Sequence, residues 1–116
     1  MRESIRDKER LLHILESIDR LQKSQEKHPM DFGEHDPVLY YGYVKLLEII
    51  GEAAYMLTLE FKEAHPQTPW KKIVGMRHVL VHGYYQISSE AVKDVIENDL
   101  PVLRPQIETY IKELSE

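Results

Sequence analysis

Apolar residues recur three and four positions apart over most of the chain, and the places where that rhythm fails mark out its elements. From residue 3 to residue 27, Ile5, Leu11, Leu12, Ile14, Leu15, Ile18 and Leu21 keep the spacing, with Arg, Lys, Glu and Asp on the remaining positions. One amphipathic helix follows, its charged face turned to water. His13 falls between apolar neighbours and reads as surface or edge packing. The rhythm stops at HPMDFGEHDP, residues 28–37, where Pro29, Gly33 and Pro37 punctuate a loop. So short a loop joins neighbouring, roughly antiparallel helices.

Asp36 followed by Pro37 is a helix start, with Asp36 as cap and Pro37 in the first turn. Tyr40, Tyr43, Val44, Leu47, Ile50, Ala54, Leu57 and Phe61 predict one long helix over residues 37–63. Gly51 lies in its middle, where glycine costs about 1 kcal/mol against alanine. Its presence there suits a close approach by another helix. Glu52, directly after it, is either a boundary carboxylate facing water or a partly buried one that positions Arg77 or a backbone N–H. Thr68 is a candidate cap and Pro69 a candidate first residue for the next helix, residues 69–83, marked by Trp70, Ile73, Val74, Arg77, Leu80 and Val81. Gly83 would end it, leaving His82 in the last turn. Ser88 or Ser89 can cap a helix over residues 89–98. Pro101 interrupts the pattern before a last helix over residues 101–114, where Pro105 fits only if it lies in the first turn. The last two segments could form one broken rod. With no strand-like alternation and no internal repeat, the expected fold is an all-α antiparallel bundle of four to five helices.

Composition narrows the setting. At 116 residues the chain is the size of one domain, and 42% hydrophobic with 30% charged residues describes a globular protein. There is no cysteine, which excludes disulfides and thiolate metal sites and fits a cytoplasmic home. The N-terminal MRESIRDKERLL lacks the apolar core of a signal peptide, and no apolar run approaches the roughly 18 residues of a membrane span. The net charge of -5 argues against a broad nucleic-acid footprint and leaves room for a small local cationic cleft.

The chemistry gathers in WKKIVGMRHVLVHGYY, residues 70–85, where Arg77, His78, His82, Tyr84 and Tyr85 lie close together. His78 and His82 share a helical spacing that zinc can use, but no His-Glu-x-x-His run and no third ligand accompany them. Arg77 and His82 offer a different chemistry. A histidine can take the proton of a ribose 2′-OH, that oxygen can attack the adjacent phosphorus, and an arginine can stabilise the charge that develops on the phosphoryl oxygens. Protonated His82 of a second copy, or solvent, could serve the leaving 5′-oxygen. A salt-bridging arginine and a capping histidine are the structural alternative. Five positions put Arg77 and His82 about 140° apart on an ideal helix, so a groove between two copies would collect them better than one copy alone.

Arg77, four intervening residues, His82, one further residue and Tyr84 match the motif of the HEPN superfamily. IVGMRHVLVHGYYQI in residues 73–87, GEAAY in residues 51–55 and PWKKI in residues 69–73 resemble its HepT-like branch. The resemblance covers nearly the whole chain and implies a single HEPN-like helical domain over residues 1–116 that forms a homodimer. It further implies a metal-independent endoribonuclease toxin of a type II toxin–antitoxin pair, with an RNA substrate and no cofactor. Arg77 and His82 would be the cleavage residues. Tyr84 would position substrate and accept AMP from a minimal nucleotidyltransferase antitoxin, which silences the toxin. Glu52, His78 and Tyr85 would support the site. His78 stands where the family motif frequently has asparagine, and could assist phosphate binding. The alternative is a non-catalytic nucleotide- or partner-binding HEPN module that docks a nucleotidyltransferase.

Overall fold

The computed structural model describes residues 2–78 and 88–116, and among them every regular element is helical. The order is α1 (Arg2–Lys27), α2 (Pro37–Met56), α3 (Leu59–Ala64), α4 (Trp70–Gly75) with a tight turn at Met76–His78, α5 (Ser89–Asp94) and α6 (Leu100–Ser115). A π-helical turn at Val95–Asp99 fuses α5 to α6, so the described residues form five rods in an all-α bundle.

Side-chain bonds fix the antiparallel packing of α1 on α2. Near the start of α1, Asp7 accepts from the Thr58 amide at 2.9 Å and from its hydroxyl at 2.8 Å, just beyond the end of α2. Near the end of α1, Gln25 donates to the Tyr43 hydroxyl at 2.8 Å, and Ser24 lies 3.0 Å from the same oxygen. Between these polar ends Leu11, Ile14, Ile18 and Leu21 are fully buried. They meet Tyr40, Tyr43, Val44, Leu47, Ile50 and Ala54 in one continuous core. Ile5 and Leu12, counted in the same apolar series, are instead exposed.

The helix expected over residues 37–63 is broken. Leu57 and Thr58 are extended, and Thr58 starts α3 as its cap, accepting from the Phe61 amide at 3.1 Å. The bonds that Thr58 donates to Asp7 explain the break. A buried carboxylate needs donors, and the Thr58 amide is free to serve only because α2 has ended. Leu57 and Phe61 stay buried on the two sides of the joint. The Asp36 cap is as expected, accepting from Val38 at 2.9 Å.

Thr68 does not cap α4. Its hydroxyl faces α6, 2.7 Å from Gln106 Oε1 and 2.6 Å from the Tyr110 hydroxyl, and Pro69 takes the cap position without a side-chain bond. Trp70 donates to the His65 carbonyl at 2.9 Å, and Phe61, His65, Trp70 and Tyr110 stack into an aromatic joint between α3, α4 and α6. Proline does not break the final rod either. The π turn widens the ladder directly ahead of Pro101, where an α-register would press its ring on the carbonyl four residues back. Pro105 lies inside α6 rather than in its first turn, and Glu97 and Pro101, whose carbonyls would lose α-helical partners, are both exposed to water.

Burial pushes the Tyr110 hydroxyl above its ordinary range despite its bond to Thr68. The unfolded chain therefore releases this proton first as pH rises. The stability the neutral phenol contributes is intact below about pH 10 and is lost as pH climbs through the folded-state value. Tyr110→Phe should cost about 1 kcal/mol at neutral pH, and the gap to the parent should close in strong alkali. Urea unfolding at a series of pH values measures this; a gap that stays constant contradicts it.

Candidate functional site

Arg77 lies on the tight turn that follows α4, and its position is set by what α2 lacks. A Cβ built on Gly51 would overlap the Arg77 amide nitrogen and come within 3.0 Å of its Cα and Cβ. Only a residue without a side chain lets the two backbones meet this way. Gly51 is buried, and Met76, next to Arg77, is buried beside it in the core.

The same turn of α2 grips the guanidinium. Glu52 follows Gly51, and Tyr55 stands one helical turn further along, so both flank the notch the glycine opens. Arg77 Nη1 is 3.6 Å from the Glu52 carboxylate, and the guanidinium carbon lies 4.0 Å from the centre of the Tyr55 ring. Arg77 Nε donates to His78 Nε2 at 3.1 Å. Glu52 is 60% exposed and the Arg77 side chain 26%. The carboxylate therefore faces water, as one of the two expectations had it, and still pairs with Arg77. Such an ion pair is worth under about 1 kcal/mol, and the cation–π contact about 0.5–1 kcal/mol. Together they orient the guanidinium more than they stabilise the fold.

Arg77 also lines an open cleft of about 360 Å³ between α1 and α2. Arg10 and His13 enter it from α1, and Lys45, Glu48 and Glu52 from α2, with apolar lining from Ile49, Ala53 and Met56. Three fixed cations and two carboxylates line it. Arg10 and Lys45 escaped the sequence reading because nothing within α1 or α2 alone shows that they converge on Arg77. His13, read as surface or edge packing, is exposed in the cleft wall. Tyr55 did leave a signal: it is four residues after Gly51 on a helix, hence on the same face. His82, Tyr84 and Tyr85 lie outside the described residues, so the structure brings together Arg77, His78 and Glu52 of the expected set. Glu34 and His35, with Asp31, form the acid–histidine group close enough to share an ion among the described residues, far along the chain from Arg77 and largely exposed.

Comparison with known proteins places the chain in a family. The family model for ribonuclease HepT-like proteins matches residues 14–110, so the chain belongs to the HepT-like family. It is 35% identical over 102 residues to "Putative RNase TTE0752" of Caldanaerobacter subterraneus subsp. tengcongensis, covering 88% of this chain and 91% of that protein. It is 32% identical over 100 residues to "Putative RNase MJ1380" of Methanocaldococcus jannaschii, covering 84% and 90%. "Probable ribonuclease HepT" of Thermococcus cleftensis is 28% identical over 105 residues, 90% of this chain and 96% of that protein. No solved structure matches the chain. No described helix is long and apolar enough to cross a membrane. Family and relatives together support a ribonuclease.

Gly51→Ala tests the notch. Helix propensity alone would favour alanine by about 1 kcal/mol, whereas forcing a methyl group into packed backbone costs about 1–3 kcal/mol or more. Urea unfolding should show a net loss of stability. A gain would mean that the two backbones are not in close contact.

Proposed function

We propose that the protein is a metal-independent endoribonuclease toxin that works as a homodimer and is silenced by a minimal nucleotidyltransferase antitoxin. The observation that carries this reading is the held guanidinium of Arg77: seated by Gly51, flanked by Glu52 and Tyr55, and open along one side to a cationic cleft. An arginine that served only as a buried strut would not line an open cavity.

In the proposed reaction His82 takes the proton of a ribose 2′-OH. The 2′-oxygen attacks the adjacent phosphorus, the bond from phosphorus to the 5′-oxygen breaks, and that oxygen leaves with a proton from the partner copy's imidazole or from water. The products are a 2′,3′-cyclic phosphate and a 5′-hydroxyl. Arg77 binds the phosphoryl oxygens with planar donors whose charge is fixed, stabilising the pentacoordinate stage. His78, already bonded to Arg77 Nε, and Glu52 hold the guanidinium in line. Tyr84 and Tyr85 orient the substrate. AMP on Tyr84 would bring bulk and negative charge into the site and compete with RNA phosphate for Arg77.

Two measurements test this. Purified protein should cleave RNA in the presence of EDTA and leave 2′,3′-cyclic phosphate ends, while Arg77→Ala and His82→Ala should each lose about a hundredfold or more in rate with helical content unchanged. Full cleavage by both variants would remove the assignment, and absence of cyclic ends would favour the non-catalytic alternative. Intact-mass analysis after incubation with the nucleotidyltransferase and ATP should show added AMP that a Tyr84→Phe variant does not acquire. An unchanged mass would remove the silencing step.

A further inference from the structure

The cleft beside Arg77 extends well past the reach of one guanidinium, and its other cations have no part in the cleavage step. Arg10 comes from α1 and Lys45 from α2, and both line the same cavity as Arg77. Three fixed cations face two carboxylates, Glu48 and Glu52, in a chain whose net charge is -5. The carboxylates are engaged with the cations: Glu48 lies 3.8 Å from Lys45 and Glu52 3.6 Å from Arg77. Among the described residues no carboxylate pairs with Arg10, although its Nε is buried. Ile49, Ala53 and Met56 supply apolar lining to the same cleft. Cations together with apolar lining suit a nucleotide, whose base covers the apolar part while its phosphate meets the cations. At about 360 Å³ the cleft has the size of a small-ligand site.

We infer that the α1–α2 cleft is a second RNA subsite, in which Arg10 and Lys45 hold the backbone phosphate of a nucleotide flanking the one cleaved at Arg77. The inference rests on RNA being the substrate and adds where the strand runs. Arg10 and Lys45 are positioning residues: they set how the single strand crosses Arg77 and leave the chemistry to the motif. The short reach of this track also explains how an acidic protein can bind RNA, through a local run of cations rather than a basic face.

The test uses the full chain and a fluorescein-labelled single-stranded RNA with 2′-O-methyl riboses, which cannot be cleaved by the 2′-OH route. Binding is followed by anisotropy over a range of salt concentrations. Arg10→Ala/Lys45→Ala should weaken binding tenfold or more and lower the slope of log affinity against log salt by about 0.7, the share of the one single-strand phosphate that is no longer neutralised. Lys45→Ala alone, at an exposed position where folding is not at stake, should lower the slope by about half as much. Arg10→Lys/Lys45→Arg should keep the parent slope. Unchanged affinity and slope in the alanine variants would overturn the inference, whatever else the cleft binds. Cleavage of unmodified RNA by the parent protein is scored separately. A parent that binds with the expected slope but does not cleave would leave the subsite standing and the ribonuclease reading refuted.

Discussion

The absence of a side chain at Gly51 is the constraint on which the candidate site depends. It lets the turn after α4 press its backbone onto α2 at Arg77. Every other feature of the site follows from that contact. Tyr55 meets the guanidinium because it shares a helical face with the glycine and Glu52 because it is three residues before Tyr55, and Arg77 reaches the α1–α2 cleft because its backbone already touches α2. A glycine in a helix interior sacrifices about 1 kcal/mol of propensity. Here the loss is offset by a close approach that holds a cation where water and ligand can reach it.

The rest of the bundle makes that approach reproducible. Asp7 and Thr58 lock the early turns of α1 to the end of α2, and Tyr43 with Ser24 and Gln25 locks the opposite ends. Register between the two helices is thereby set at both extremities, with an apolar core between. The aromatic joint of Phe61, His65, Trp70 and Tyr110 then fixes where α4 starts. A helix started at a fixed point and only six residues long has little freedom in where it delivers Arg77.

Much of this was legible in the sequence. The buried stripes of α1 and α2, the Asp36 cap and the close approach at Gly51 follow from periodicity and from the special properties of one residue type, which are local. The misjudged features share a different cause. The break at Leu57–Thr58 serves Asp7, fifty-one positions away. Thr68 gives up a cap to bond Tyr110. Pro101 is absorbed by a π turn that no local pattern announces, and Pro105 sits where the carbonyl it leaves without a partner faces water. In each case a long-range partner or a relaxed ladder overrides a sound local preference. For the site, the motif named Arg77, and GEAAY supplied Gly51 and Glu52. Arg10, His13 and Lys45 had no signal, because only the packing of α1 against α2 brings them to one cavity.

On the proposed reading, Gly51 acts on RNA through Arg77. A double-mutant cycle on single-turnover cleavage tests it most directly, comparing the parent with Gly51→Ala, Arg77→Ala and the combination. If the glycine works by seating the arginine, Gly51→Ala slows the parent but changes the Arg77→Ala rate by less than about twofold, a coupling that independent sites do not show. Losses that multiply in the combined variant would contradict the account.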